Sequence, residues 1–394
     1  MNKSSEWELL DSAEKSAQVI ARPSHTYWQD AWRMLRKNVL AMIGLFTIIV
    51  IALSAIFLPM FSSVSYSDQQ QGFGNIPPRI PLTSLGDGSY VYVHNEYKLI
   101  EVSEKGELLS APEPIKKDDI KSFKTYEIDG KEVTLDYSNA KRAKKNGGAK
   151  YKILVDGKEI DTAPTKTVWN KTNILGTDGL GRDILIRILY GARISLTVGL
   201  VASLVNLIIG IIYGGISGYE GGRTDSIMMR IVDIINSVPS LLIVILLMVV
   251  YKPGLQTIII TIGFIYWVGM ARLVRGQVLS LKEQEFILAA RTIGVSKFKI
   301  IMRHLIPNAM GPIIVSLTMS IPSAIFTESF LSFIGLGVSA PQASWGTLAN
   351  DALGGIRSYP YQLIAPAIAI AITMFAFNFL GDGLRDALDP RLRK

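Results

Sequence analysis

The chain has 394 residues, of which 49% are hydrophobic and only 19% are charged. The mean hydropathy of +0.30 and a charged fraction below the average for soluble domains, about 25%, indicate that lipid solvates much of the chain. The absence of cysteine excludes disulfides, thiolate nucleophiles and cysteine metal sites, and the three histidines are too far apart in sequence for chelation.

The first predicted element is an amphipathic helix over residues 24–38, with Pro23 and Ser24 at its start. Its aromatic positions fall near helical spacing, beside basic ones: Tyr27, Trp28, Trp32, Arg33, Leu35, Arg36 and Lys37. This pattern favours a helix lying in the inner membrane interface. The alternative is an ordinary cytosolic helix leading into the first span. Residues 1–38 are therefore predicted to form a cytoplasmic tail with an interfacial helix.

Six apolar runs approach the roughly 20 residues that a helix needs to cross a bilayer. They cover residues 39–61, 194–216, 231–251, 255–270, 311–334 and 363–384, and the fourth is the shortest. The first run is too far from the start and too long for a signal peptide. Pro239, Pro322 and Pro366 are predicted to kink their spans. The sequence therefore predicts an all-α membrane protein with six transmembrane helices.

The orientation follows from lysine and arginine in the short loops. With the N-terminus inside, nineteen lie in the inner segments and two, Lys252 and Arg357, lie outside. This asymmetry predicts that both termini are cytoplasmic. It also explains the net charge of +8 without nucleic acid as a partner.

A soluble insert is predicted between the first two spans, at about 82–165 within an extracytoplasmic loop over 62–170. Strand-like pieces cover residues 90–93, 98–102, 125–128, 132–136 and 151–155. Asp129-Gly130 and Asp156-Gly157 are hairpin-turn dipeptides. The insert is predicted to be a small β-rich module, with a partly disordered loop as the alternative.

The inner loop over 272–310 is patterned as a helical hairpin. A first helix is predicted over 281–291, a stop at Ile293-Gly294, and a second helix over 297–306 that Pro307 ends. Phe286, Ile287, Ala289 and Ala290 are predicted to share one apolar side. A hairpin without any partner is the alternative to a docking element.

Three separate motifs in this sequence together resemble a known family. Ala289-Ala290-x3-Gly294-x9-His304-Leu305-Ile306-Pro307 is similar to the coupling loop of ABC importer permeases, although Leu288 and His304 replace the usual Glu and Ile. NILGTDGLGRD at 173–183 and ESFLSFIGLG at 328–337 complete the pattern. Together they resemble the C-type membrane subunit of dipeptide and oligopeptide importers, over residues 24–61 and about 170–390.

The resemblance implies a type I ABC importer permease in the bacterial plasma membrane, with a core domain at 191–386. Such a subunit has no ATPase site and binds no cofactor, since partner subunits hydrolyse ATP with magnesium. The implied partners are a homologous B-type permease, two cytosolic ATPases, an extracytoplasmic peptide-binding protein and the peptide itself. We expect the insert to dock or orient that binding protein, or else only to stiffen the connection between the first two spans. The implied ATPase-coupling residues are Phe286, Ala289, Ala290, Gly294 and Pro307.

Two further features concern the spans. Gly210, Gly214 and Gly218 form a small-xxx-small face suited to close helix packing. Glu328 is a carboxylate within the fifth span, which suggests contact with a peptide ammonium or, as the rival, an ion pair with Arg193 or the partner subunit. Asp233 is predicted to pair locally with Arg230, one turn earlier.

Other functions stay open at this stage. A related importer for nickel chelates or another small solute has similar motifs, and a membrane sensor is an alternative of a different class. The stretch GTDGLGRD lacks the ligand spacing of a calcium loop and is better explained as a glycine-rich turn, with Asp183 capping the second span. No metal site is predicted.

Overall fold

The computed structural model describes residues 26–86, 88–140, 142, 150–251 and 254–389. The expected tail before residue 26, including the helix start at Pro23 and Ser24, lies outside these residues. The helices of more than three residues that lie wholly within the described residues are α1 (Tyr27–Lys37), α2 (Val39–Phe61), α3 (Ile184–Glu220), α4 (Gly222–Ser237), α5 (Ser240–Val250), α6 (Leu255–Leu281), α7 (Glu285–Thr292), α8 (Lys297–Leu336), α9 (Trp345–Asp351) and α10 (Tyr361–Leu388).

A bundle of long apolar helices forms the body of the protein. Among the described residues, α2, α3, α6, α8 and α10 are each long and apolar enough to cross a membrane. They contain five of the six predicted runs, and α6 extends well beyond its run because its second half is buried against α3 and the start of α8. One end of the bundle carries the β-rich insert, here called the insert side. The other end carries α7 and is called the hairpin side.

The third predicted span is broken. Its residues are divided between α4 and α5, whose axes differ by 81°. The break lies at Val238, which has extended backbone, and Pro239, which cannot donate a backbone hydrogen bond. The predicted kink at Pro239 is therefore confirmed, and the bend is sharp enough to divide residues 231–251 between two helices. Pro322 and Pro366, by contrast, lie inside α8 and α10, which continue through them.

Three glycines allow α3 to approach α6 closely. A Cβ atom on Gly210 would collide with the Met270 side chain, and one on Gly214 with the Ala271 carbonyl oxygen. On Gly218 it would lie 2.9 Å from the Arg275 carbonyl oxygen. This face packs as the small-xxx-small pattern requires, because backbone atoms of α6 occupy the missing side-chain volume.

Gly214→Ala is expected to destabilise the bundle by about 1–3 kcal/mol, because the added methyl group overpacks α3 against α6. Gly269→Ala is the matched control, since a Cβ at Gly269 meets no atom within 4 Å. Thermal unfolding of the purified protein in detergent measures both. Equal unfolding temperatures for the two variants would contradict close packing at Gly214.

The described residues of the insert form ten short strands in two antiparallel sheets. The first sheet has the order β10-β1-β2-β3-β4 and the second β5-β6-β7-β8-β9. The strands are β1 (Arg79–Ser84), β2 (Tyr90–Val93), β3 (Leu99–Val102), β4 (Leu108–Ser110), β5 (Lys116–Asp118), β6 (Phe123–Ile128), β7 (Lys131–Asp136), β8 (Lys152–Val155), β9 (Lys158–Ile160) and β10 (Lys166–Trp169). The five predicted strands correspond to β2, β3, β6, β7 and β8, and the other five are the edge strands β4, β5, β9 and β10 and the interior strand β1.

Both Asp-Gly dipeptides form the predicted hairpin turns. Asp129 and Gly130 have φ of 48° and 73°, and Asp156 and Gly157 have φ of 48° and 78°. Positive φ at both central residues is the type I′ geometry that matches strand twist. Residues 141–150, KRAKKNGGAK, form a basic stretch of the sequence, and of these only 142 and 150 are among the described residues.

The first sheet is attached to the insert side of the bundle. Gln362, in the first turn of α10, donates hydrogen bonds to the Asn75 Oδ1 atom at 2.9 Å and the Thr177 carbonyl at 3.0 Å. His94 stacks on Tyr359 with ring centroids 6.0 Å apart. Burial is the main cause that lowers the pKa of His94. The second sheet packs on the first through a shared core that includes Val91, Leu99, Tyr126 and Val133.

Candidate functional site

The corner of the hairpin is built around Gly294. Gly294 has φ of +78°, and the N–H groups of Gly294 and Val295 donate to the carbonyls of Arg291 and Ala290 at 3.0 and 3.1 Å. This pair of bonds is the Schellman motif that ends α7. The predicted stop at Ile293-Gly294 is confirmed, although α7 begins at Glu285 rather than residue 281 because α6 runs on to Leu281.

The apolar residues of α7 divide between two faces. Ile287 and Ala290 are buried in a core with residues of α6 and α8, whereas Phe286 and Ala289 are exposed. The prediction that these four residues share one side is wrong, since residues three apart share a face: Phe286 and Ala289 lie on the exposed face, and Ile287 and Ala290 lie on the buried one. The exposed apolar residues form what we call the hairpin surface: Phe286, Leu288, Ala289, Ile293 (79% exposed) and Phe298 (72% exposed).

Pro307 does not end a helix. The predicted second helix continues into the fifth span as α8, with a π-helical turn at Ile300–Leu305 just before the proline. The Ile306 N–H bonds to the Ile301 carbonyl, and the Asn308 side chain donates to the His304 carbonyl at 2.6 Å. The wider turn accommodates a residue without an N–H group. The prediction of a break at Pro307 is therefore wrong.

Two contacts connect the hairpin to the end of α3. The Arg291 guanidinium lies over the Tyr219 ring, 5.0 Å from its centroid. The Lys297 Nζ atom lies 2.9 and 3.0 Å from the two carboxylate oxygens of Glu220. Residues on both sides of the Gly294 corner thus contact the same helix end, and together with the buried Ile287 and Ala290 they hold the hairpin against the bundle.

Ion pairs connect α4 to α6 on the same side. Arg275 donates two hydrogen bonds of 2.5 Å to the Asp225 carboxylate, which also accepts from Ser217. Asp233 pairs with Arg272 at 2.8 Å. The predicted pair with Arg230 is therefore wrong, because the packing of α4 across α6 brings a different arginine to Asp233.

A buried charge cluster orders the insert side. Asp178 accepts from Arg182 and from Arg187, each at 2.6 Å, and Asp351 lies 3.3 Å from Arg187. Asp183 caps α3 through the Ile186 N–H at 2.9 Å, as predicted for this glycine-rich turn. Sequence reasoning missed Arg187 and Asp351. Arg187 could have been found from its sequence position, because it is an arginine at the start of an apolar run. No feature of the sequence pointed to Asp351.

Glu328 lies fully buried in the insert-side half of α8. Its carboxylate accepts hydrogen bonds from Ser195 and Ser332 at 2.8 Å and from Ser329 at 3.3 Å. Arg193, the predicted rival partner, donates instead to the Ala55 and Ile56 carbonyls. This geometry favours a role in joining α3 to α8 over direct contact with a peptide.

Comparison with known proteins identifies the family. A model described as binding-protein-dependent transport system inner membrane component matches residues 179–394. The chain belongs to this permease family. A second model, the N-terminal TM domain of oligopeptide transport permease C, matches residues 26–78. The resemblance of the three motifs to a C-type permease subunit is thus confirmed.

Full-length relatives agree with this assignment. The permease is 43% identical over 378 residues to the oligopeptide transport system permease protein OppC of Bacillus subtilis (strain 168), with 96% of this chain and 94% of the relative covered. It is 41% identical over 391 residues to the dipeptide transport system permease protein DppC of the same organism, covering 99% and 94%. OppC of Escherichia coli (strain K12) is 49% identical over 218 residues, covering 55% of this permease and 72% of that protein.

Proposed function

We propose that this permease is the C-type membrane subunit of an ATP-driven importer of dipeptides and oligopeptides. The observation that carries the proposal is the match over nearly the whole chain to peptide-transport permeases. No relative among these is a nickel permease or a sensor, so neither alternative is favoured. The chain forms half of the translocation pathway and supplies no ATPase chemistry.

The hairpin surface is the proposed contact for the ATPase subunits. Phe286 and Ala289 project from it, Gly294 sets its corner, and Ala290 and Pro307 support it from the core side and from α8. Apolar residues this exposed at the end of a bundle are typical of a protein interface. Because Arg291 and Lys297 connect the hairpin to α3, movement of the ATPases is transmitted to the α3–α6 pair.

The proposed topology has six membrane passes in the plasma membrane, with α4 and α5 together as a broken third pass. The hairpin side then faces the cytoplasm and the insert side faces outward, which places both termini inside. The distribution of lysine and arginine supports this orientation. A homologous B-type permease, two ATPases using ATP and magnesium, and an external peptide-binding protein complete the proposed assembly.

Reconstitution tests the function directly. The permease is co-expressed with its neighbouring transport genes, purified and placed in liposomes with ATP inside. Accumulation of labelled di- and pentapeptides that requires the binding protein is the expected result. Uptake of nickel chelates with no peptide uptake would overturn the proposed substrate, and absence of co-purifying ATPases would overturn the proposed class.

The insert is proposed to dock the binding protein. Residues 85–164 can be replaced by a short Gly/Ser linker, because the Ser84 N–H lies 3.3 Å from the Thr165 hydroxyl and these ends are adjacent. We expect about a tenfold higher half-saturating concentration of binding protein, with an unchanged maximal rate, since encounter is weakened and translocation is not. An unchanged half-saturating concentration would leave the insert only a stiffening role.

A further inference from the structure

The short helix α1 cannot lie far from the membrane surface. It ends at Lys37, and the lipid-facing helix α2 begins at Val39, so Asn38 alone separates them. The Asn38 side chain caps α2 by accepting from the Ala41 N–H at 3.1 Å. The corner between the two helices is therefore fixed, and α1 lies where α2 leaves the bilayer.

One face of α1 is packed against the end of α10. Ala31 and Leu35 are buried, and Leu35 belongs to a cluster with Ala41 and Ala387. The Tyr27 hydroxyl donates to the Leu388 carbonyl at 3.2 Å. These contacts hold α1 in one rotation about its axis, which decides where its other side chains point.

The flank of α1 beside the buried face is aromatic and basic. Trp28 and Trp32 are one turn apart and are 51% and 42% exposed, and the Arg36 guanidinium lies 4.8 Å from the Trp32 ring centroid. Arg33 and Lys37, which follow Trp32 and Arg36 directly in the sequence, are also exposed. Indole rings with adjacent cations are typical of the headgroup level of a bilayer.

We propose that this flank, consisting of Trp28, Trp32, Arg33, Arg36 and Lys37, is a binding site for an anionic phospholipid. The cations of Arg33, Arg36 and Lys37 contact the phosphate-bearing headgroup. The indole rings cover the upper acyl chain, which continues along the exposed start of α2 at Val39 and Ile43. Continuity with this lipid-facing surface favours a lipid over a cytosolic protein as the occupant.

Charged residues on α10 restrict where the headgroup can bind. Asp382, Arg385 and Asp386 are exposed on α10, against which α1 packs. Two carboxylates against one guanidinium leave this stretch of α10 with a net negative charge, which repels an anionic headgroup. The lipid is therefore expected on the flank beside Trp32 and Arg36. This site does not depend on which solute the permease carries.

Native mass spectrometry of the purified transporter complex tests the site with phosphatidylglycerol and phosphatidylcholine as probes. We expect at least tenfold tighter binding of phosphatidylglycerol, and a loss of that preference in the triple variant Arg33→Gln, Arg36→Gln and Lys37→Gln. Each cation near the surface contributes about 1 kcal/mol, so the triple change corresponds to up to about a hundredfold. Raised salt is expected to reduce the preference in the wild type.

Two control variants complete the test. Arg33→Lys with Arg36→Lys keeps the charge and is expected to keep the preference, which separates loss of charge from misfolding. Lys116→Gln with Lys121→Gln, in the insert, is expected to bind both lipids as the wild type does. An unchanged preference in the triple variant would overturn the proposal. Loss of the ATPase subunits with an unchanged preference would overturn it too and assign the flank to a protein partner.

Discussion

Gly294→Val is expected to reduce peptide uptake about a hundredfold while the protein stays in the membrane. Gly294 has φ of +78°, a conformation that a β-branched residue adopts only under strain. The strain, of the order of 3 kcal/mol, lowers the population of the native corner about a hundredfold. Without that corner, the hairpin surface no longer meets the ATPase subunits at the angle that α3 sets.

Uptake into liposomes and co-purification of the ATPases measure this effect. Gly294→Asn is the matched control, because asparagine tolerates the left-handed conformation better than other side chains. No atom lies within 4 Å of a Cβ at Gly294, so a side chain there meets no clash within this chain. If the valine and asparagine variants transported equally well, the backbone conformation of the corner would be irrelevant to coupling.

The long apolar helices and their order could be predicted from the sequence, because burial in lipid imposes composition directly. The two Asp-Gly turns could be predicted too, since positive φ at two successive positions selects these residues. The stop at Gly294 could be predicted for the same reason, because its positive φ selects glycine. In each case the sequence constraint is local, so a window of a few residues contains it.

The errors concern irregular helix geometry and contacts with distant segments. Pro307 was expected to end a helix, yet a π-helical turn and the Asn308 side chain accommodate it. Asp233 was expected to pair along its own helix, yet α6 supplies Arg272. The Asp178–Arg187–Asp351 cluster joins residues far apart in the chain. Arg272 and Asp351 could not be assigned as partners without the packing of α4 on α6 and of α9 on α3.

Glu328→Leu is expected to destabilise the permease by about 3 kcal/mol and to abolish uptake of all peptides alike. The substitution leaves the hydroxyl groups of Ser195, Ser329 and Ser332 without their buried acceptor, and each unpaired group costs about 1–3 kcal/mol before local rearrangement. Ser323→Ala is the matched control, because the exposed Ser323 hydroxyl bonds only within α8, to the Met319 carbonyl. Thermal unfolding in detergent measures the difference.

Glu328→Gln separates a structural role from contact with substrate. Glutamine keeps one oxygen acceptor, and serine hydroxyls can also accept from its amide, so the fold is expected to lose only about 1 kcal/mol. Because the carboxylate is sealed between α3 and α8 by three serines, peptides with free and acetylated amino termini are expected to lose uptake equally. A selective loss for peptides with a free amino terminus would instead require that α3 and α8 separate during transport and expose Glu328 to the peptide ammonium.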